Sequence, residues 1–415
     1  MQVTDQTLLL AAALLVAAAM PAAAQHDLRL GAHAVPLLTH ISPILSGRAE
    51  TEAYLTQPAL MAEALLYGGR LNTRATISLE PLTLDRGELG AGTHGEGYVD
   101  RRHPHTYLHE LMLTASGGSG AVHASLSAGR GFAPFGTDDP MMRPFAKFPA
   151  NHHLAQVLER LTVIGAVRAN RAVLELGVFN GTEPFATTEP FGASGRASFS
   201  RFGDSGSARV TLLPIEGLEL QASGAWVASP EMPRGEGSDH RKWSASGRYE
   251  HEHEWGTVYA LAEWSHTAEI PDGGAAAGYD GLLAELEVAT GGWRPALRIE
   301  RTERPEQARG FDPFRTPWPH ADTHTLGVTR WTIVGARLER RATWRGLGAA
   351  PFLEASRSHV REIAGGAFDP AAFYGDTRIW TISIGARLTA GTHAARMGRY
   401  GVALPARPAA NAHAH

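Results

Sequence analysis

The chain has 415 residues, of which 19% are charged and 46 are glycine, and it contains no cysteine. A charged fraction below the ~25% usual for soluble domains, with glycine in excess, argues against a string of soluble domains. The lack of thiols excludes a disulfide scaffold, thiolate metal sites and cysteine nucleophiles, and a formal net charge of −4 gives no global pull towards nucleic acid.

In chain order, the first feature is the apolar run Leu8 to Ala19, too short to cross a bilayer as a helix. Met20-Pro21 and the small-residue string Ala22-Ala23-Ala24 follow it, which predicts a secretory signal peptide over 1–24, cut after Ala24. No later stretch approaches ~18 consecutive apolar residues, so no membrane-spanning helix is predicted. Between Leu28 and Ser46 the run Val35-Pro36-Leu37-Leu38 makes a poor strand because of Pro36 and Pro43. Segment 25–59 is therefore expected to be either a first strand or a plug.

From residue 60 the dominant pattern has period two. After Leu60 to Tyr67, Leu71, Thr73, Ala75, Ile77 and Leu79 alternate with Asn72, Arg74, Thr76, Ser78 and Glu80. Leu218, Leu220, Ala222, Gly224 and Trp226 alternate with Glu219, Gln221 and Ser223. Trp243, Ala245, Gly247 and Tyr249 do so with Lys242, Ser244, Ser246 and Arg248, and Trp380, Ile382, Ile384, Ala386 and Leu388 with Thr381, Ser383, Gly385 and Arg387. Strict alternation marks strands with one apolar and one wet face. The apolar faces carry almost no charge, as lipid requires, since an arginine at the bilayer midplane costs about 2–4 kcal/mol. Tyr107, Trp226, Trp243, Tyr249, Trp264 and Trp380 sit near the ends of apolar runs, the pattern of an interfacial girdle.

Connections alternate in length. Short Gly-, Pro- or polar-rich turns fall at 67–70, 117–120, 169–171, 214–217, 251–254 and 291–293, and long polar segments near 85–105, 131–156, 180–203, 229–240, 268–279, 305–322 and 362–376. The expected fold is all-β: a transmembrane antiparallel up-and-down barrel of about sixteen strands, with fourteen to eighteen allowed, occupying 60–390. Short turns belong in the periplasm and long loops outside. A barrel of this size leaves an aqueous channel. Its lumen-facing wall would include Arg74, Glu80, Arg209, Lys242, Arg248, Arg298, Glu300 and Arg387.

By this parity, Gly131 to Gln156 is the third external loop. With the strand end before it, it carries Arg130, Asp138, Asp139, Arg143, Lys147, His152 and His153, interleaved with Phe132, Phe135, Phe145 and Phe148. Folding inwards would pack the rings on the wall and turn the charges to the lumen, forming a pore constriction. The stretch Gly131-Phe132-Ala133-Pro134-Phe135-Gly136, after Ala128-Gly129-Arg130, resembles the conserved segment of the phosphate-selective porin family. That resemblance implies an outer-membrane porin with Arg130, Arg143 and Lys147 as eyelet cations. The chain has only two lysines, Lys147 and Lys242, and Asp138 and Asp139 adjoin the cations, so a weakly selective pore is expected.

The final candidate strand, 377–389, is followed by a tail, 391–415, with Arg396, Arg399 and Tyr400 ahead of a Pro/Ala/His stretch expected to be flexible. Gly385 and Leu388 resemble part of the terminal signal read by barrel-assembly machinery. Histidine clusters at 103–109, 152–153 and 251–253 lack convincing ligand geometry, and neither a nucleophile elbow nor a phosphate-cradling loop is present. The expected protein is an exported outer-membrane porin for small hydrophilic solutes or ions. It is not an enzyme, needs no cofactor or metal, binds no nucleic acid, and is compatible with a homotrimer. The competing expectation is a non-conducting barrel that binds a ligand or surface polymer through its long loops.

Overall fold

A computed structural model describes residues 27–44, 47–84, 87–90, 101–102, 106–150, 152, 158–182, 201–230, 237–271, 274, 276–307, 325–344, 347–366, 368–391 and 396–404. The signal-peptide expectation and His153 lie outside them. Sixteen wall strands are present: β1 (Asp27–Ile44), β2 (Arg48–Leu66), β3 (Leu71–Ser78), β4 (Leu108–Ser119), β5 (Val122–Phe132), β6 (Glu159–Ala169), β7 (Ala172–Phe179), β8 (Ser205–Leu212), β9 (Leu218–Val227), β10 (Ser238–His253), β11 (Gly256–Pro271), β12 (Ala277–Ala289), β13 (Trp293–Gln307), β14 (Thr325–Arg340), β15 (Leu347–Ala364) and β16 (Arg378–Gly391). A three-residue strand, Ala342–Trp344, continues β14 along the same partner, β15. Each strand pairs antiparallel with its neighbours in sequence, and β1 pairs with β16, so the sheet closes into a barrel without edges.

The two sides of the sheet sort by chemistry. On β16, Trp380, Ile382, Ile384 and Leu388 are exposed, while Thr381 and Ser383 between them are buried. On β8, Val210 and Leu212 face out and Arg209 and Thr211 face in. In a closed barrel this inversion has one physical reading: the apolar side meets lipid and the polar side meets the lumen.

Connections after β2, β4, β6, β8, β10 and β12 are all tight, and those after β3, β5, β7, β9, β13 and β15 are the longer ones at the other end. The β2–β3 turn places Tyr67, Gly68 and Gly69 at φ of 52, 67 and 82°, which two glycines make inexpensive. The expected long segment 268–279 is mostly strand, because β11 runs to Pro271 and β12 starts at Ala277.

The wall starts earlier than the sequence pattern suggests. Residues 27–44 form β1 and 48–66 form β2, so of the two expectations for segment 25–59, first strand or plug, these residues are wall strand, and the barrel's first residue moves from 60 to Asp27. The prolines sit beside irregularities in the ladder: Pro36 follows a register shift between His33 and Val35, and Pro43 lies within one between Ile41 and Ile44. At such points the missing N–H is tolerated. In β2, Gln57 adopts φ of 54° next to Pro58, and the inward face switches from Tyr54 and Thr56 to Ala59, Met61 and Glu63. That switch breaks the period-two signal in the residues before 60.

The seam between β1 and β16 depends on Gly385, where a Cβ would lie 2.8 Å from both the Leu37 side chain and the Phe352 ring. Two substitutions test the sorting. Ile384→Arg, in the middle of the lipid-facing row, should lower folding stability in lipid vesicles by about 2–4 kcal/mol, while Ile384→Leu leaves it unchanged. An equal stability for both would contradict the lipid-facing assignment.

Candidate functional site in the barrel lumen

The inward face is dense in charge, and its groups meet three sources of partners: neighbouring strands, residues 133–150, and residues 396–404. Residues 133–150 run along inward-facing side chains of several strands. Gly136 N donates to Ser223 Oγ at 3.0 Å on β9, and Thr137 Oγ1 to Glu263 Oε2 at 2.6 Å on β11. Ala146 N donates to Glu354 Oε2 at 2.9 Å on β15, and Ala150 N to Glu300 Oε2 at 2.7 Å on β13. In the other direction, Arg298 donates to Lys147 O at 2.8 Å and Arg387 to Arg143 O at 3.1 Å. Arg298 also lies 4.2 Å over the Phe145 ring, a cation–π contact between wall and segment.

The expectation of a flexible tail does not hold for residues 396–404. Met397, Arg399 and Tyr400 are buried. Arg399 reaches Glu175 at 3.1 Å, and Arg209 holds the same carboxylate with two bonds of 2.6 and 2.7 Å while donating to Gly398 O at 2.7 Å. Tyr400 donates to Glu110 at 2.7 Å and accepts from Phe132 N at 3.0 Å. Arg74 donates to Arg399 O at 3.1 Å, and Val402 N to Ser125 Oγ at 3.1 Å. The physical reason is polar matching: Arg399 and Arg396 bring cations to the inward carboxylates Glu175 on β7 and Glu219 on β9, and Tyr400 brings a hydroxyl to Glu110 on β4.

Loop and tail converge on Asp138. Its carboxylate lies 3.1 Å from Arg396, 3.4 Å from Arg143 and 3.6 Å from Arg248. Arg143 also contacts Glu263 at 3.1 Å, and Arg396 contacts Glu219 at 2.6 Å. Burial alone would raise the Asp138 pKa, but Arg396, Arg143 and Arg248 outweigh it and hold the group down at about 2.

The remaining candidate residues are placed as follows. Arg130 is on β5, paired with Glu159 at 2.6 Å. Asp139 accepts from Met141 N, capping the turn at 140–142, and lies 3.6 Å from His109. Lys147 contacts Glu88 at 3.1 Å and also bonds Tyr54 and Leu89 O. Together with Arg298, Glu300 and Glu354 it lines a cavity of about 40 Å³. His152 is buried beside Phe148 and bonds Pro149 O at 2.8 Å, away from Asp138's ion pairs. Arg74, Arg209, Lys242, Arg248, Arg298, Glu300 and Arg387 are on inward faces. Glu80 is not on the wall. It opens a short helix, Glu80–Thr83, just past β3, and accepts from Gln57 N at 2.9 Å. The alternation that suggested a wall position continues two residues beyond the strand's end. The residues missed by sequence reasoning are Tyr54, Glu110, Glu175, Glu219, Glu263 and the tail's Arg396, Arg399 and Tyr400. The two arginines and the tyrosine, close together in an otherwise Ala/Pro/His tail, were the available signal.

No protein-family model matches the sequence, and no curated protein matches it. Solved structures do. The loop L8 deletion mutant of OmpT, an outer membrane protein of Vibrio cholerae, aligns with a TM-score of 0.51 at 10% identity, covering 88% of this chain and 99% of that one. The in-vitro folded trimer form of OmpT gives the same values. The anion-selective porin from Comamonas acidovorans aligns with a TM-score of 0.50 at 8% identity, covering 88% and 100%. At such identities the likeness establishes the fold, which is that of the outer-membrane porin barrels.

The Asp138 cluster makes a pH prediction. Because the docked pKa lies below the free value, the stabilisation is complete above pH ~4 and is lost as pH falls through about 2. A fluorophore on the tail should therefore report loosening between those limits, and Asp138→Asn should loosen the tail already at neutral pH. Loosening that is independent of pH in the unsubstituted protein would contradict the assignment.

Proposed function

We propose that the protein is an outer-membrane channel for small hydrophilic solutes or ions, narrowed from two sides by residues 133–150 and the tail residues 396–404. The observation that carries this reading is the convergence on Asp138 of Arg143 from the loop, Arg248 from the wall and Arg396 from the tail. A sixteen-stranded wall is too wide for its own side chains to fill, and these two segments occupy the remainder with paired charges. The residues assigned to the constriction are Asp138, Arg143, Lys147 and Arg396, with Arg130, Asp139 and His152 behind them. The remaining lumen carries both charge signs in close proximity, so the pore discriminates weakly between ions and has no basis for phosphate selection.

A second reading is favoured by one specific observation: the tail is buried among wall carboxylates. A barrel with its tail docked would conduct little, and would open when the tail leaves. The N-terminal segment does not supply that plug, since Asp27–Ile44 is strand β1. A homotrimer remains part of the proposal, in keeping with the trimer form recorded for OmpT.

Planar-bilayer recordings test both readings. The intact protein should give small stepwise conductances with a reversal potential near zero in a potassium chloride gradient. Removal of residues 392–415 should raise the single-channel conductance, and shortening of 133–150 should raise it further. A silent barrel that stays silent after both deletions would overturn the channel. Unchanged steps after both would overturn the constriction while leaving the channel standing.

A further inference from the structure

The lipid-facing wall is apolar over most of its height, but one patch at the long-connection end is basic. Directly opposed residues form a row across four strands: Arg301 on β13, Thr332 on β14, His359 on β15 and Arg378 on β16. All four are exposed and outward. Arg357, paired with Trp380 one step towards the apolar band, lies 5.0 Å over the Trp380 ring. Arg361 lies one step beyond the row, opposite Arg330. Neighbouring charges on this face are already matched: Arg330 with Glu303 at Nε–Oε1 3.0 Å, and His266 with Asp280 at 2.9 Å. Asp376 accepts from the Arg378 backbone N–H and Glu362 from Gly366 N. Among the described residues no ion pair engages Arg301, Arg357, Arg361 or Arg378.

We infer that this patch is a docking surface for phosphate-bearing lipid headgroups of the outer leaflet. Charge complementarity and position both point to a lipid rather than a free anion. The row sits immediately above an outward apolar band that includes Ile299, Val334, Leu353 and Ile382, all exposed, so a ligand with acyl chains below and phosphates above meets both halves at once. Trp380 sits at the boundary, its ring buried in the interface and held under Arg357. Three strand spacings make the row about 14 Å wide, which exceeds one simple phospholipid headgroup and suits a headgroup carrying more than one phosphate. Each surface arginine strengthens attraction to an anionic headgroup by about fivefold. The inference rests on the membrane placement of the barrel and not on its conductance.

The test titrates the full-length folded protein in neutral-detergent micelles with lipid A, a bis-phosphorylated glycolipid, and with phosphatidylcholine, reading bound lipid by native mass spectrometry. The expected result is a preference for lipid A of about tenfold or more, retained in excess inorganic phosphate at matched ionic strength. The joint substitution Arg301→Gln, Arg357→Gln, Arg361→Gln and Arg378→Gln should remove that preference while the unheated barrel keeps its compact gel mobility. Arg340→Gln, at the opposite end beside Trp293, should leave it intact. If the fourfold variant does not fold, Arg301→Gln with Arg378→Gln should still weaken binding several-fold. Equal binding of the two lipids, equal binding by wild type and the double variant, or full displacement by inorganic phosphate would each overturn the inference.

Discussion

A closed sheet in a bilayer forces every charge on its strands to choose between lipid and lumen, and lipid rejects it. An arginine at mid-bilayer costs about 2–4 kcal/mol, so the charged residues of the apolar zone are driven inward. Once there they are taken out of bulk water, and an unpaired buried charge is also costly. The interior therefore becomes a matched lattice of arginines and carboxylates. Arg209 with Glu175, Arg298 with Glu285 and Arg130 with Glu159, at 2.6 to 2.7 Å, are its local pairs within the wall.

The wall alone does not complete that lattice. Arg396 from the tail reaches Glu219, and Arg143 from the loop reaches Glu263. Glu300 and Glu354, each 3.7 Å from a wall arginine (Arg298 and Arg337), also accept backbone N–H groups of the loop. Loop and tail are thus held by the same demand that sorted the strands. The opposite boundary of the barrel follows the same logic with another outcome. Where the wall leaves the apolar zone, arginines are allowed back on the outer face, and among the described residues no ion pair engages Arg301, Arg357, Arg361 or Arg378.

Much of this was legible in the primary structure. Alternation alone located most strands and the sidedness of the connections, because lipid imposes a clean apolar face that few other environments demand. Four things were not legible, for distinct reasons. Strand β1 was obscured by Pro36 and Pro43, which normally exclude a wall position and are accommodated here by register shifts. The first half of β2 was obscured by the left-handed Gln57, which reverses the inward face within one strand. Glu80 was misplaced because the alternation runs on past the end of β3 into the Glu80–Thr83 turn. The tail was hidden for a different reason: its docking is long-range electrostatics, with Arg399 meeting Glu175 across most of the chain, and no local pattern records such a pairing. The inward polar residues were readable as a face, whereas their partners were not.

The central claim is that the tail docks inside the barrel against the inward face of the wall. The absence of native cysteine makes a direct measurement available. Val402 N lies 3.1 Å from Ser125 Oγ on β5, so a protein carrying Val402→Cys and Ser125→Cys should form an intramolecular disulfide on mild oxidation of the folded barrel. The account predicts near-complete cross-linking in the folded state, and none when Ser125→Cys is replaced by the outward-facing Leu126→Cys. Failure of the 402–125 pair to cross-link in a folded barrel, or equal cross-linking at 126, would contradict it.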